Sequence, residues 1–412
     1  MNKQLLEKYA KLAIKVGCGL KKGQDIIINA SVETPEFNRA LVIEAYKLGA
    51  RKVHMEYRDD LIKLQDLKYQ NIKILTSIPK YISDRRAVPI QAGACILNVL
   101  SDIPDVFKSI DSDKLKLVSQ ANEKANHIYR EYQGRNQTKW SIVAYPNIAW
   151  AKKVFPKFNN EIAYAKLEKA ILDACYVSAS NDPIEAWATH NKLTHDRVKI
   201  MNKYHFKALH FKNSIGTDVT FELPAKHNWA GGQELSLRGE PFNPNIPTEE
   251  IFCMPSKFGI NGKVVTTKPL NYLGNLISQF TLTFKKGKAV KYSAKDHLPT
   301  LKSLITYDEG SCYAGEIAIV EHYSPISLSG VLFYETLFDE NASCHIALGR
   351  AYAMNLIGGT KMSKEELVKN GANQSGTHVD FMFGSKDMNI DGITKTGEIV
   401  NIYKNGKFVF KH

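Results

Sequence analysis

Between Asp25 and Tyr145 the chain alternates strand and helix signals, and beyond Tyr204 it reads mainly as strands, so two differently built domains are required. Asp25 to Ala30 (DIIINA), Lys52 to Tyr57, Ala94 to Leu100 (ACILNVL) and Trp140 to Tyr145 are strand-length runs, with helical spacing from Glu33 to Leu48 and Asp113 to Tyr132 between them. Such alternation predicts an α/β domain with a mainly parallel sheet. Neither GxGxxG nor GxxxxGK follows any of these strands, so the domain reads as a scaffold or dimerisation unit rather than a nucleotide site. Two helices are expected next, Asn160 to Tyr176 and Pro183 to Tyr204, the second capped by Asn181-Asp182. His190 and His195 lie five apart on it, a poor same-face spacing, and are read as surface or packing residues. Strands are then predicted at His205 to Lys212, Asp218 to Leu223, Gly262 to Thr267, Gln279 to Phe284 and Lys288 to Tyr292, separated by turn signals such as Asn261-Gly262. The expected domains are 1–195, an α/β scaffold, and 196–412, a β-rich α+β domain carrying the chemistry.

Charge and cysteine usage narrow the partners. The chain has 55 basic and 42 acidic residues, a net charge of +13, but no run of five or six basic residues, so the excess reads as solvated surface and not as a nucleic-acid footprint. Its six cysteines show no CxxC spacing and read as reduced thiols of a cytoplasmic protein. The opening MNKQLLEKYAKLAIKVG is broken by Glu7 and lysines, and no run approaches the ~18 apolar residues of a membrane span, so no membrane partner is expected.

Four stretches of the second half carry candidate chemistry. In NPNIPTEEIF two prolines stiffen a turn that delivers Glu249 and Glu250, of which an extended chain can turn only one to a given site. In GEIAIV a carboxylate, Glu316, opens a run fit for a core, so it must be paired, protonated or metal-bound. From Phe338 to Tyr352 the acids before Asn341 and Ser343, followed by small and apolar residues, predict a capped helix. At ~3.6 residues per turn His345 and Tyr352 would share its face with Ala342 and Gly349, and Glu340 would stand at its start. In THVDFMFG a strand puts His378 and Asp380 on one face and Val379, Phe381 and Phe383 on the other.

One of Glu249 and Glu250, with Glu316, Glu340, His345, His378 and Asp380, forms a carboxylate-and-imidazole set without thiolate, which suits Zn, Mn or Co held for catalysis. Six ligands exceed what one catalytic ion takes and favour two ions sharing a carboxylate, ~3.5–4 Å apart. HExxH and GxSxG are absent, which argues against a one-zinc zincin and a serine hydrolase as templates. A rival reading is a metal- or anion-binding protein without turnover.

The strings NPNIPTEE, GEIAIV, ETLFDENASCHIALGRAYA and THVDFMFGS, with GTDVTFEL, HNWAGG and ATHNKLTH, resemble the family of aminopeptidase T, aminopeptidase S and PepS, the thermophilic metallo-aminopeptidases, along the full length. The resemblance implies a cytoplasmic, dinuclear metal-dependent exopeptidase acting on peptide substrates, and a homodimer whose active sites open on an internal cavity. It places metal ligands at Glu250, Glu316, His345, His378 and Asp380, with Glu340 as a sixth, and makes Tyr352 catalytic. Glu316 is the expected bridge, Tyr352 an oxyanion donor and Glu249 a possible general base. Cys344 and Gly376 depart from the family pattern beside ligands, where metal preference would be altered.

Overall fold

The computed structural model describes residues 2–410. The chain divides into two units, Met1–His190 with Gln233–Pro247, and Asn191–Gly232 with Thr248–His412. In the first, the apolar runs form β1 (Asp25–Ser31), β2 (Lys52–Arg58), β3 (Cys95–Leu100) and β4 (Trp140–Ala144). All pair parallel, in the order β2-β1-β3-β4. The same unit holds α1 (Lys3–Leu12), α2 (Pro35–Lys47), α3 (Asp60–Tyr69), α4 (Ile72–Thr76), α5 (Lys80–Gln91), α6 (Ser112–Ala125), α7 (His127–Gly134), α8 (Ile148–Val154), α9 (Asn160–Ala174) and the start of α10 (Pro183–Tyr204), which from Asn191 on belongs to the second unit. Phe37 of α2 stacks between Tyr9 of α1 and Tyr145. Ile27 and Ile96 pack with Ile90 of α5 and with Tyr129 and Tyr132 of α7. Parallel strands need crossovers, and α2, α3 to α5, and α6 with α7 supply them between β1 and β2, β2 and β3, and β3 and β4. The polar helical stretch 113–132 is two helices broken at Asn126, which caps one and opens the other.

After α10 the period-two pattern takes over. β5 (Ala208–Lys212) and β6 (Asp218–Glu222) belong to the second unit; the two-residue pair β7 (Glu234–Leu235) and β8 (Pro241–Phe242) belongs to the first. Next come β9 (Glu250–Cys253), β10 (Ile260–Val265), β11 (Leu270–Tyr272), β12 (Asn275–Ile277), β13 (Thr281–Lys285), β14 (Lys288–Ser293), β15 (Ala314–Val320), β16 (His345–Gly349), β17 (His378–Met382), β18 (Asn389–Ile393), β19 (Ile399–Lys404) and β20 (Lys407–Phe408). An antiparallel sheet of eight strands, β14-β13-β10-β6-β5-β18-β19-β20, packs on one of four, β17-β16-β15-β9. The shared core shows the packing: Phe211 and Phe221 of the large sheet meet Phe383 at ring-centroid distances of 5.5 and 6.5 Å, and Phe280 meets Phe381 at 5.1 Å. The fold is thus an α/β unit with a parallel sheet followed by a β-rich α+β unit.

The helix expected from 338 to 352 is not present. Thr336–Asp339 forms a single turn, Glu340–Ala342 a 3₁₀ turn, and Ser343 is already extended at φ −168°, so His345 to Gly349 enter the small sheet as β16. His345 and Tyr352 therefore share no helical face. Pairing on both sides, with β15 and β17, supplies backbone partners that outweigh the helical preference of Ala and Leu.

The HNWAGG stretch braces this sheet from its β9 edge. Ala230 exchanges backbone hydrogen bonds with Phe252, and the Asn228 N–H donates to the Asn355 carbonyl at 2.8 Å. A Cβ on Gly231, at φ +153°, would lie 2.4 Å from the Glu250 carbonyl oxygen, so only glycine lets this loop lie against the start of β9. His227, in the same loop, is buried, stacks on His205 at 4.2 Å and donates its Nδ1–H to the Pro224 carbonyl. Burial holds its pKa down at about 4, so the folded protein takes up this proton later than the unfolded chain. The resulting loss, on the order of 3 kcal/mol, is expected as pH falls from about 6.5 to 4 and not above it. Denaturation measured at pH 7 and pH 5 checks this: His227→Asn should show a shallower fall in stability than wild type.

Candidate metal centre

One face of the small sheet is apolar and one is not. Ile251 and Cys253 of β9, Ile317 and Ile319 of β15, Ile346 and Leu348 of β16 and Phe381 of β17 belong to the core. The period of two then turns Glu250, Glu316, His345, His378 and Asp380 to the opposite face. Several residues cross-strand from these candidate ligands are small: Ala318 faces His345, Ala347 faces both Glu316 and Asp380, and Gly349 faces His378, while Met382 also faces His345 and Val320 faces Glu250. The open floor is made by this alternation and not, as a helix would have it, by Ala342 with Gly349. A Cβ on Gly349, at φ +114°, would meet the Thr377 carbonyl oxygen at 2.1 Å, so glycine is required where β16 meets the start of β17.

The side chains converge in two groups that share one residue. Glu250, Glu316 and His345 offer ligand atoms within 4.8 Å of one another, and so do Glu316, His378 and Asp380. Glu316 turns Oε1 toward His345 Nε2 and Oε2 toward His378 Nε2, each at 3.6 Å. His378 Nε2 is also 3.6 Å from Asp380 Oδ2, and His345 Nε2 is 2.9 Å from Glu250 Oε2. Despite that approach neither His345 Nε2 nor Glu250 Oε2 makes an aligned hydrogen bond, and Asp380 Oδ1 is likewise buried without a partner. Buried polar atoms left this way are rare. Grouped within 4.8 Å, they are atoms that a shared cation would satisfy.

Backbone carbonyls set the imidazoles for that task. His345 Nδ1–H donates to the Ser343 carbonyl at 3.2 Å and His378 Nδ1–H to the Arg350 carbonyl at 2.7 Å. A carbonyl only accepts, so Nδ1 carries a proton and Nε2 is the nitrogen left facing the carboxylates, free to ligate a cation when the ring is neutral and to carry a second proton when it is not. Without a cation, protons take its place: burial pushes Glu316 up to about 7, with Asp380 and Glu250 adding to it and the two imidazoles opposing. Burial works against charge on His345, but Glu250 and Glu316 outweigh it and raise its pKa well above the usual value. The donor set, its orphaned atoms and its fixed tautomers fit divalent ions.

The remaining predicted residues surround this cluster. Glu340, on its 3₁₀ turn, is in neither group, yet burial and then Glu250 and Asp380 raise its carboxyl well above the ordinary range, which puts it within their electrostatic reach. Tyr352 lies in the loop after β16, its ring 4.7 Å from that of His378 and 6.4 Å from that of Phe252. Burial and the Glu316, Asp380 and Glu340 charges raise its pKa, so the phenol keeps its proton. Glu249 is buried next to Glu250, and its N–H donates to Asn341 Oδ1 at 2.7 Å. Cys344 faces the core, its Sγ 3.5 Å from the Val320 carbonyl, so it cannot touch a ligand's cation directly. Gly376 donates its N–H to the Asp308 carboxylate at 2.6 Å, which with Ser375 fixes the approach to His378. His190 packs between Tyr176 and Trp187, and His195 is exposed.

Three supporting residues escaped the sequence. Asn341 ties the Glu340 turn to Glu249, Asn373 donates to the Gly310 and Gly349 carbonyls at 2.8 and 2.7 Å, and Asn355 donates to the Phe252 carbonyl at 3.3 Å. Only Asn341, beside Glu340, carried a positional hint.

Comparison with known proteins decides the class. The family model of the thermophilic metalloproteases (M29) matches residues 2–408. The chain belongs to this family. As a member of M29 it is a metallopeptidase, and so a hydrolase. Aminopeptidase AmpS of Bacillus subtilis (strain 168) is 44% identical over 409 residues, covering 99% of this chain and 99% of that one. Aminopeptidase 2 of Geobacillus stearothermophilus is 41% identical over 406 residues, 98% of each. The solved structure of wild-type AmpT from Thermus thermophilus matches this M29 chain with a TM-score of 0.92 at 36% identity, covering 100% of both chains.

Proposed function

We propose that the protein is a metal-dependent aminopeptidase that hydrolyses the N-terminal peptide bond of peptides at a centre of two divalent ions. Glu250, Glu316 and His345 would hold one ion and Glu316, His378 and Asp380 the other, with Glu340 as a further ligand. The observation that carries this reading is Glu316, whose two oxygens face the two imidazoles separately. Zn, Co and Mn all suit the donors. When bound, such a pair supplies a water nucleophile active near neutral pH and Lewis acidity for the scissile carbonyl.

The chain's own residues divide the rest of the work. The sheet holds Glu250, Glu316, His345, His378 and Asp380 rigidly, since each sits on a strand whose other face is core, whereas Glu340 comes from a 3₁₀ turn. Tyr352, protonated and beside His378, would donate its hydroxyl to the oxyanion as the carbonyl carbon becomes tetrahedral. Glu249 is kept as a candidate base. The first unit would act as the scaffold of a homodimer whose active sites open on an internal cavity. Six buried free cysteines agree with a reducing, cytoplasmic setting. Among the described residues no helix is long and apolar enough to cross a membrane.

An amino-acyl p-nitroanilide tests the reading. Hydrolysis should stop after chelation, return with Zn, Co or Mn, and fail on an N-acetylated substrate. Full activity in protein shown metal-free by mass spectrometry would overturn it. Tyr352→Phe should keep its metals and its melting temperature while kcat falls roughly 10²–10³-fold, the worth of one oxyanion donor. A loss confined to KM or to metal content would count against that role.

A further inference from the structure

The first unit holds a polar pocket that the peptidase chemistry does not use. Strand order β2-β1-β3-β4 places a topological switch between β1 and β3, because the chain leaves β1 toward one edge and builds β3 and β4 toward the other. In open parallel sheets, ligands bind outside the carboxyl ends of the strands at such a switch. Here the apolar pair Ile27 and Ile96 gives way, one cross-strand step further on, to Asn29 paired with Asn98. These two amides hold the phenol of Tyr129 from α7: Asn29 Nδ2 donates to it at 3.0 Å and it donates to Asn98 Oδ1 at 3.3 Å.

In front of Tyr129 lies a cavity of about 320 Å³ lined by Arg86, Asn122, Asn126, Tyr129, Arg130 and Gln133. This is within the roughly 300–1,000 Å³ range of small-molecule sites. Its two guanidiniums are poorly neutralised. Arg130 reaches Glu123 only at 3.5 Å, with both side chains exposed, and such surface pairs contribute little. Arg86 has no carboxylate partner among the described residues and lies 6.0 Å from the Tyr129 ring, whereas its neighbour Arg85 is paired with Glu56 at 2.9 Å. Asn126 Oδ1 is buried and accepts no hydrogen bond.

We propose that this pocket binds a small polyhydroxylated anion such as a sugar phosphate or sugar acid. Guanidiniums match a phosphate or carboxylate head through paired N–H donors. Three carboxamides, each able to donate and accept, match hydroxyl groups, which do the same, while the phenol oxygen, its proton given to Asn98, only accepts. No aliphatic side chain lines the cavity, so an apolar ligand finds no complement.

Titration calorimetry of the full chain tests this with ribose 5-phosphate and gluconate, against ribose and inorganic phosphate. At least one of the two hydroxylated anions should bind with Kd near or below about 1 mM, the range of a few charge-assisted contacts. Which of them binds names the head group. Ribose should fail for lack of charge, and phosphate should bind at least about fivefold more weakly for lack of hydroxyls. Arg86→Gln and Arg130→Gln should each weaken binding at least about tenfold and leave p-nitroanilide hydrolysis unchanged. Arg130 is exposed, so its variant keeps the test open if Arg86→Gln misfolds. Absence of binding by both anions overturns the proposal. So does binding unchanged in both variants, which would place the ligand elsewhere, and so does phosphate binding as tightly as ribose 5-phosphate.

Discussion

Glu316→Gln is expected to give a folded protein that binds at least about one metal equivalent fewer and has no measurable turnover. Glutamine keeps the shape and one carbonyl oxygen but loses the charge and the second acceptor that faces His378. Even residues that only orient a ligand change metal affinity by about 10–100-fold, and this one would serve both ions. The sign of the stability change is the sharper part. Burial and the neighbouring carboxylates of Asp380 and Glu250 push Glu316 up to about 7. The unfolded chain, with an ordinary carboxyl, releases this proton more easily, so in the metal-free protein the opposition to folding builds up as pH rises from about 4.5 to 7 and is complete above it. Above that pH the metal-free variant should therefore melt no lower than metal-free wild type. Calorimetry after chelation, beside mass spectrometry of the loaded forms, reads both effects. A variant with full metal content and activity would remove Glu316 from the shared position.

The two faces of β17 should answer mutation in opposite ways. His378→Ala or Asp380→Ala takes ligand atoms from the second group and leaves Phe381 in the core, so a folded, metal-poor and inactive protein is expected. Phe381 is fully buried and packs on Phe280 at 5.1 Å. Truncating such a ring costs about 3–5 kcal/mol. Phe381→Ala should lower the melting temperature while its folded fraction still binds metal and hydrolyses peptides. The assignment of faces fails if Phe381→Ala loses metal at unchanged stability, or if His378→Ala keeps metal and activity.

The candidate ligands stood out in the sequence because their chemistry is out of place. Glu316 opens a run in which every residue of β15 is buried, and His378 and Asp380 alternate with core residues in a pattern only a strand satisfies. The parallel sheet was legible for a similar reason, since DIIINA and ACILNVL are too short and too apolar for exposed helices. His345 to Gly349 defeated the same reasoning. His345, Ala347 and Gly349 alternate with Ile346 and Leu348, but alanine, leucine and the acids upstream also satisfy a helix, and five residues cannot separate the two periods. What decides is the edge offered by β15 and β17, which lies far away in sequence. The helices α3 to α5 were not anticipated either; α5 carries Pro89 inside it, a residue that speaks against helix in any local reading. Asn341, Asn355 and Asn373 act through carbonyls and N–H groups of distant segments, and a lone asparagine gives no hint of such partners.

The order in which the ligand strands leave the ribosome has a consequence for how the enzyme matures. Glu250 is made first, on β9, and β15 and β16 are laid beside it in turn; β17, with His378 and Asp380, closes the row near the end of the chain. Contacts this distant form late, because long loops must close before they are rewarded. A nascent chain lacking β17 holds the carboxylate of Glu316 with half its imidazole partners missing. On the proposed ligand set, metal loading would then report that the four-stranded sheet has closed.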